Sequence, residues 1–314
     1  MNKIIVLETG IVIKSTGSRY RVMDNGGNVV ECLIKGRFRV KGIETTNPVA
    51  VGDRVKFMME PGENRGVITS IEDRKNYIIR RASNLSKRYH IIAANVEKVF
   101  LMVTIKMPET PVEFIDRFLV TSEAYRISSA IIFNKMDLYN SEELERVKYL
   151  HKLYSRIGYD CYDISVKNGQ NIEALIDAMK DRISLFAGNS GVGKSSLINY
   201  LNPSLNLKTD EISVYHEQGK HVTTFPEMHP VPFGGFVIDT PGLRGFGIID
   251  MERNEVYHFF PEIFRKSKEC RFHNCLHVNE PGCAVLEAIQ TGEIDLIRYR
   301  SYLKIMEDEN RKYR

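Results

Sequence analysis

The stretch GNSGVGKS at residues 188–195 has the GxxxxGKS pattern of a phosphate-binding loop. Its glycines let the backbone turn tightly and point N–H groups at phosphate oxygens. The apolar residues 184–187 precede it, so we expect the loop to join a strand to a helix, as this motif requires. Lys194 is then expected to reach the β and γ phosphates, and Ser195 to give its hydroxyl to Mg²⁺. The residues predicted to bind the phosphate groups are Gly188, Asn189, Ser190, Gly191, Val192, Gly193, Lys194, Ser195 and Ser196.

A second motif, NKMD at residues 134–137, has the form that recognises guanine. Asp137 can accept hydrogen bonds from the N1–H and the amino group of guanine, whereas adenine lacks these donors and would leave the carboxylate unpaired. Asn134 shares in this choice of base, and Lys135 is expected to lie over the plane of the nucleotide. The apolar residues 130–133 precede the motif and predict a buried strand, where base-reading loops are found.

Ser165, Val166 and Lys167 follow the next short apolar stretch and fit a supporting base loop. The Ser165 hydroxyl can bond Asp137, and the backbone of the loop can contact the guanine oxygen. Because the pattern Ser-x-Lys is common, this prediction depends on the NKMD motif.

The segment DTPG at residues 239–242 follows another apolar run and indicates a further contact to the nucleotide. Asp239 is predicted to hold Mg²⁺ through water, and the Gly242 N–H to contact the γ-phosphate. Residues 202–230 form a long stretch without strong periodicity, and such stretches tend to be functional. A switch threonine within GKHVTT, residues 219–224, can bind Mg²⁺ and respond to the γ-phosphate.

The order of the two nucleotide motifs is the reverse of that in an ordinary GTPase, in which the phosphate-binding loop comes first. Either one motif is a coincidence, or a GTP-binding domain has been circularly permuted. The alternation of strand and helix signals from residue 96 onward favours the second interpretation.

Residues 1–72 predict a small β barrel of the oligonucleotide-binding (OB) kind, because about five short apolar runs are separated by turn signals and no long helix. Arg37, Arg39 and Lys41 alternate there, either as solvated edge charges or as a phosphate-contacting face. Residues 74–90 include basic side chains and no acid, so contact with a polyanion is favoured over a solvated linker. The basic residues of this segment are Arg74, Lys75, Arg80, Arg81, Lys87 and Arg88.

Three of the five cysteines lie close together as Cys270, Cys275 and Cys283, with His277 between them. Three thiolates and one imidazole complete a tetrahedron with no open position, which predicts a structural Zn²⁺. His273 is a rival nitrogen ligand. The apolar spacing that follows predicts an amphipathic helix, and its basic residues leave contact with RNA open. These basic residues are Arg298, Arg300, Lys304, Arg311, Lys312 and Arg314.

The composition is that of an ordinary globular protein. The 44 basic and 40 acidic residues give a net charge of +4, too weak to indicate nucleic acid unless the charge is clustered. No apolar run reaches the ~18 residues that a membrane span needs, and an acid follows the N-terminus too soon for a secretory signal. We therefore expect a cytoplasmic protein that does not contact a membrane. We also expect a monomer.

The order NKMD, Ser-x-Lys, phosphate loop, GKHVTT and DTPG resembles that of the circularly permuted GTPases. With the barrel before it and the cysteine cluster after it, the full chain is similar to the bacterial ribosome small subunit-dependent GTPase A (RsgA) family. This resemblance implies a GTP hydrolase that uses GTP, GDP, Mg²⁺ and one structural Zn²⁺. It also implies a role in late maturation of the small ribosomal subunit, with hydrolysis stimulated by the subunit and contact to its rRNA. His277 matches the ligand spacing of the family.

The family usually has His-Thr-Thr where this chain has His221-Val222-Thr223-Thr224. Thr223 aligns best as the Mg²⁺ ligand, and Thr224 is the alternative. Leu243 stands where Ras-like proteins carry a catalytic glutamine, so the resemblance makes His221 the candidate that orients water. An exposed loop histidine is the other interpretation. The resemblance thus implies His221, Thr223 and Lys194 as catalytic residues and Ser195, Thr223 and Asp239 as the Mg²⁺ ligands.

The predicted fold is multidomain. An RNA-binding OB-fold barrel is expected at residues 1–72, an α/β circularly permuted P-loop GTPase domain at 73–250, and a mainly helical zinc-binding module at 251–314. One alternative function is a non-catalytic, nucleotide-gated RNA-binding assembly module. Another is a metal-dependent nucleic-acid enzyme at the cysteine cluster.

Overall fold

The structure is a computed structural model that describes residues 7–34, 47–81, 89–207, 226–239 and 251–312. The strands are β1 (Glu8–Ser15), β2 (Tyr20–Asp24), β3 (Val29–Ile34), β4 (Arg54–Met59), β5 (Arg65–Ile71), β6 (Tyr77–Arg81), β7 (Tyr89–Ala94), β8 (Lys98–Val103), β9 (Ser128–Phe133), β10 (Asp160–Asp163), β11 (Ile183–Ala187), β12 (Glu227–Pro230) and β13 (Phe236–Asp239). The helices are α1 (Val112–Ala124), α2 (Ser141–Ile157), α3 (Ile172–Met179), α4 (Lys194–Leu201), α5 (Pro261–Ser267), α6 (Ala284–Gln290) and α7 (Leu296–Lys312).

Contacts divide the described part of the chain into two compact units. The first unit lies within Met1–Phe100, Glu173–Ala187 and Lys194–Gly247. The second lies within Leu101–Ile172, Gly188–Gly193 and Ile248–Arg314. The chain therefore passes between the units several times, once within β8 and once at each end of the glycine-containing loop.

In the first unit, β1 to β5 form the small barrel expected from the sequence. β1 pairs antiparallel with both β2 and β4, β2 pairs with β3, β3 runs parallel to β5, and β5 pairs with β4. The pairing thus returns to β1 and leaves no free edge. Because alternate side chains point inward, Tyr20, Val22, Phe57 and Ile68 are buried together in its centre.

The rest of the first unit contains the strand that leads into the phosphate-binding loop. β11 and β13 are parallel neighbours, β12 lies antiparallel beside β13, and Lys14 of β1 pairs with Glu227 of β12. All five residues of β11 are buried, as its apolar sequence requires. The strand predicted at residues 184–187 is therefore confirmed.

The second unit contains the strand that leads into the NKMD segment. β9 and β10 are parallel, with Ala130 opposite Asp160, and β9 is almost fully buried. The helix α2 begins after a capping box, in which the Asn140 side chain accepts from the Glu143 N–H and the Glu143 carboxylate accepts from the Asn140 N–H. The N-cap is thus Asn140, the residue before Ser141.

The C-terminal helices of the second unit share one apolar core with α1. Phe260, Ile263, Val285 and Tyr302 are buried there together with Val120 of α1. No helix of the described ranges has the length and apolar character needed to cross a membrane.

Candidate functional site

Asn134, the residue directly after β9, is buried and uses all of its hydrogen-bonding groups. Its backbone N–H donates to the Val103 carbonyl at 3.0 Å, and its own carbonyl accepts from the Tyr139 hydroxyl at 2.6 Å. Its side-chain amide donates to the Val192 carbonyl at 2.8 Å, and its side-chain oxygen accepts from the Val166 N–H at 3.2 Å. Asn134 therefore joins the NKMD segment, the supporting loop and the phosphate-binding loop.

Lys135 lies in the left-handed region, with φ of 67°, which is uncommon for a residue with a side chain. Its ammonium group donates to the Gly191 carbonyl at 2.8 Å and also to the Met107 carbonyl. Burial lowers the pKa of Lys135, and the nearby carboxylate of Asp137 opposes this effect. The Lys135 side chain thus extends across the phosphate-binding loop.

The Asp137 carboxylate is held by the loop that contains Ser165, the partner predicted from the sequence. The Ser165 hydroxyl, which is fully buried, donates to one carboxylate oxygen of Asp137 at 2.6 Å. The Asn168 N–H donates to the same Ser165 hydroxyl at 3.3 Å. Lys167 of the predicted base loop is exposed. The carboxylate of Asp137 is therefore fixed in direction while remaining half-exposed.

The glycines of the phosphate-binding loop allow close approach that no side chain would permit. Gly188 and Gly193 have φ of 141° and 104°, and Gly191 has φ of 79°. A Cβ atom on Gly188 would lie 2.3 Å from the Met102 carbonyl oxygen, and one on Gly193 would lie 2.5 Å from the side-chain nitrogen of Asn134. Only glycine fits both the backbone conformation and the space at these two positions.

The helix α4 begins at Lys194, immediately after Gly193, as the motif predicted. Lys194 and Ser195 are half-buried and Ser196 is exposed, all within the first turn. The first turn of a helix carries the positive end of the helix dipole, which favours an anion.

Other predicted nucleotide contacts fall at or beyond the limits of the described residues. Asp239 is the last residue of β13. His221, Thr223, Thr224 and Gly242 lie outside the described residues.

The four predicted zinc ligands lie together near the C-terminus. The sulfur atoms of Cys270, Cys275 and Cys283 and a ring nitrogen of His277 all lie within 4.8 Å of one another. The His277 Nδ1 atom is 3.6 Å from the Cys270 sulfur and 3.5 Å from the Cys283 sulfur, which are 3.9 Å apart. Tetrahedral Zn²⁺, with Zn–S of about 2.3 Å and Zn–N of about 2.0 Å, requires S···N and S···S separations of about 3.5 and 3.8 Å. The residues therefore fit this ion, and the rival ligand His273 is exposed outside the cluster.

Glu280 folds the turn that carries His277. Its carboxylate accepts hydrogen bonds from the N–H groups of Leu276, Val278 and Asn279 at 2.7, 2.8 and 3.0 Å. Burial acts to raise the pKa of Glu280, but these bonds outweigh it and hold the pKa below its usual value. Burial also raises the pKa of Cys275 to about 12, an effect that a cation among the sulfurs would oppose.

Two arginines that the sequence assigned to basic patches are neutralised inside the protein. The Arg74 guanidinium donates two hydrogen bonds of 2.6 Å to the buried carboxylate of Asp53. Arg298 is 0 % exposed and pairs with Asp116 at 2.6 Å and with Glu262 at 2.7 Å. Neither side chain is available to RNA, so both assignments were wrong. Five other basic residues singled out from the sequence lie outside the described residues, namely Arg37, Arg39, Lys41, Lys87 and Arg88.

Tyr139 is a functional candidate that sequence reasoning missed. Its hydroxyl bonds the carbonyl of Asn134, as given above, and also accepts the Ile105 N–H at 3.0 Å. The one available signal was its position two residues after the NKMD motif.

Comparison with protein-family models gives two matches. Residues 71–249 match the model described as RsgA GTPase, and residues 9–68 match the model described as RsgA N-terminal domain.

Curated relatives match along nearly the whole chain. Proteins named small ribosomal subunit biogenesis GTPase RsgA from Christiangramia forsetii and Bacteroides fragilis are 53% and 54% identical to it. Each comparison covers 97% of this chain and 98% of the relative.

Two solved structures are similar over the same extent. YjeQ from Thermotoga maritima has a TM-score of 0.79 at 37% identity, covering 97% of this chain and 99% of YjeQ. YloQ, described as a circularly permuted GTPase, has a TM-score of 0.77 at 31% identity, covering 99% of this chain and 98% of YloQ.

Proposed function

Because this chain belongs to the RsgA GTPase family, we propose that it hydrolyses GTP during biogenesis of the small ribosomal subunit. Its enzyme class is that of the family, a GTP hydrolase that uses GTP, GDP and Mg²⁺. The names of the relatives refer to biogenesis of the small ribosomal subunit. The observation that carries the proposal is the 2.8 Å bond from Asn134 to Val192, because it supports one nucleotide site made from both motifs.

In the proposed site, Asp137 accepts hydrogen bonds from guanine and Ser165 fixes its direction. The 2.6 Å bond between these two side chains supports this role, since a carboxylate fixed before binding loses less freedom on binding. Lys135 covers the nucleotide plane, and its bond to Gly191 supports that position. Val166 and Lys167 complete the supporting loop around the base.

The phosphates are bound by the N–H groups of residues 188–196 and by Lys194. The positive φ angles of the three loop glycines support this, because such turns direct successive N–H groups toward an anion. Ser195, Asp239 and Thr223, with Thr224 as the alternative, would hold Mg²⁺. When bound, this ion neutralises charge on the transferred phosphoryl group. His221 orients the attacking water in this proposal.

The metal of the cysteine cluster is Zn²⁺ in this proposal, and its role is structural. The distances among Cys270, Cys283 and His277 support it, as does a donor set that fills a tetrahedron. A closed set leaves no position for a substrate, which disfavours a nucleic-acid enzyme at this cluster. When bound, the ion holds together a small region with a limited core of its own.

Contact with rRNA through the barrel and the zinc region is part of the proposal. The barrel topology is one used to bind oligonucleotides. In the zinc region, Phe264 and Phe272 are 39% and 41% exposed, with Lys268 and Arg271 over their respective rings. Exposed rings with adjacent cations suit stacking on unpaired bases near phosphates.

The proposed functional division keeps three regions, at residues 1–72, 73–250 and 251–314. The limits of the two family-model matches support the first boundary and the end of the second region. We further propose that the protein acts as a monomer in the cytoplasm.

GTP turnover with and without purified small subunits, across a salt series, tests this function. We expect stimulation by the subunit that falls steeply as salt rises, because phosphate contacts release counterions. Stimulated release of phosphate separates a GTPase from a module that uses nucleotide only as a structural ligand.

The control is Lys194→Ala, which should abolish turnover with or without subunits. Purified large subunits should not stimulate the wild-type protein. Equal turnover in the presence and absence of small subunits, at low salt, would contradict the proposed function.

A further inference from the structure

Tyr139 connects two loops at the nucleotide site through one hydroxyl group. It is 9% exposed, donates to the Asn134 carbonyl at 2.6 Å and accepts the Ile105 N–H at 3.0 Å. A phenol hydroxyl can do both at once, and phenylalanine can do neither. Without the hydroxyl, one buried acceptor and one partly buried donor would lose their partners.

The Asn134 bond fixes the peptide unit just before Lys135. Lys135 has φ of 67°, and a left-handed residue with a Cβ persists only where its surroundings enforce that conformation. The Asn134 N–H is held by Val103, so Tyr139 secures the opposite end of the same residue. The direction in which Lys135 leaves the strand thus depends on this bond.

The Ile105 bond fixes the loop that receives the Lys135 ammonium group. This loop is closed on itself by a 2.9 Å bond from the Thr110 N–H to the Thr104 carbonyl. The Met107 carbonyl at its tip accepts a hydrogen bond from the Lys135 ammonium. Lys135 is therefore constrained from Tyr139 at both ends, through its own backbone and through the acceptor of its side chain.

We propose that Tyr139 is a positioning residue for nucleotide binding, which acts by holding Lys135 across the phosphate-binding loop. This inference rests on the proposed function, because it needs Lys135 to contact the nucleotide. Asp137 is held separately by Ser165. Tyr139 therefore governs how tightly the nucleotide is held, while the choice of base stays with Asp137.

The test compares Tyr139→Phe with Tyr154→Phe in the full-length protein. Tyr154 is also buried and its hydroxyl donates to Asp116 at 2.7 Å, so the control loses a phenol hydrogen bond of the same kind. We expect release of a fluorescent GDP analogue to be about tenfold faster in Tyr139→Phe, the equivalent of ~1.4 kcal/mol. Release from Tyr154→Phe should stay close to wild type, although both variants should unfold at lower temperature. Release as slow as wild type in Tyr139→Phe, or equally fast in both variants, would overturn the proposal.

Two further measurements separate positioning from general loss of stability. The preference for guanine over xanthine nucleotides should be unchanged in Tyr139→Phe, and a changed preference would count against the proposal. In a Lys135→Met background, adding Tyr139→Phe should have little further effect on release, because the residue being positioned is gone. Fully additive effects would overturn it. A wild-type protein that does not bind GDP would instead contradict the proposed function itself.

Discussion

The Asn134 side-chain nitrogen donates a 2.8 Å hydrogen bond to the Val192 carbonyl oxygen across 58 residues of sequence. Gly193, the next residue, leaves room for the amide, because a Cβ atom there would lie 2.5 Å from the same nitrogen. The loop at residues 188–195 is thus shaped around Asn134 of the NKMD segment. A substitution at Asn134 or at Gly193 that disrupts this contact should therefore affect binding of the whole nucleotide.

Gly193→Ala should weaken GDP binding by at least about tenfold, because it combines a strained backbone with displacement of the Asn134 amide. Equilibrium titration of a fluorescent GDP analogue measures the effect. Gly158→Ala is the control, since Gly158 has φ of 121° but nothing within 4 Å of the added Cβ. It should lower thermal stability and leave GDP affinity unchanged. An unaltered affinity in Gly193→Ala would contradict the site geometry.

Asp137→Asn should shift the preference from guanine to xanthine nucleotides. The amide presents a donor where the carboxylate accepted the guanine amino group, and xanthine carries an oxygen at that position. We expect guanine affinity to fall by roughly four powers of ten, the scale of rejection when a polar group buried on binding loses its partner. Competition binding with GDP and XDP measures the shift, and Ser165→Ala should weaken GDP binding without changing the preference. Retained guanine selectivity in Asp137→Asn would show that another residue reads the base.

Local sequence patterns correctly predicted the strands and the helix that carry the proposed nucleotide site. The apolar runs before Asn134 and Gly188 are buried strands, and the helix after Gly193 begins at Lys194. Each of these features is set by neighbouring residues, and a strand running into a glycine-rich turn and then a helix has few alternative folds. The bond from Ser165 to Asp137 was predicted from the Ser-x-Lys pattern read together with the NKMD motif. In the structure both loops follow parallel strands, β9 and β10, so they meet at one edge of the sheet.

Charge in the sequence was a poor guide to the surface. Arg74 and Arg298 looked like members of basic patches, yet each is paired with a buried carboxylate. The partners Asp53 and Asp116 are 21 and 182 residues away in sequence. No local pattern indicates that a given arginine has a partner at such a distance, and net charge cannot distinguish a solvated cation from a buried one.

Cys270→Ser should release the metal of the cysteine cluster and lower the temperature of unfolding. With one of its four ligands removed, the site binds Zn²⁺ more weakly, so the metal contributes much less free energy to folding. Metal content by mass spectrometry and thermal unfolding measure the two effects. His273→Ala is the control, because this histidine is exposed outside the cluster, and it should keep both zinc and stability. Loss of zinc from His273→Ala would mean that the ligand set is wrong.

Arg298→Met should destabilise the second unit by about 3–5 kcal/mol at neutral pH, because removing one partner of a buried ion pair leaves a charge without compensation. Arg298 is fully buried and contacts both Asp116 and Glu262. Its guanidinium also lies 4.6 Å from the centre of the Phe260 ring, so methionine replaces part of the lost packing but none of the charge. Chemical denaturation monitored by circular dichroism measures the free energy of unfolding.

The stability deficit of Arg298→Met should depend on pH, and the sign follows from Asp116. Burial raises the pKa of Asp116, and the Arg298 guanidinium opposes that rise. Without Arg298 the folded-state pKa rises further above its unfolded value. The folded variant then binds a proton that the unfolded chain releases, so its stability is greatest below the unfolded pKa and is lost as pH increases through the folded pKa. The deficit should therefore be smaller at pH 5 than at pH 8.

Lys304→Met is the control on the same helix, because Lys304 pairs with Glu113 at an exposed position, and its small effect should hardly vary over that range. A deficit for Arg298→Met that is constant from pH 5 to pH 8 would mean that Asp116 and Glu262 do not carry the cost, which would then lie in lost packing against Phe260.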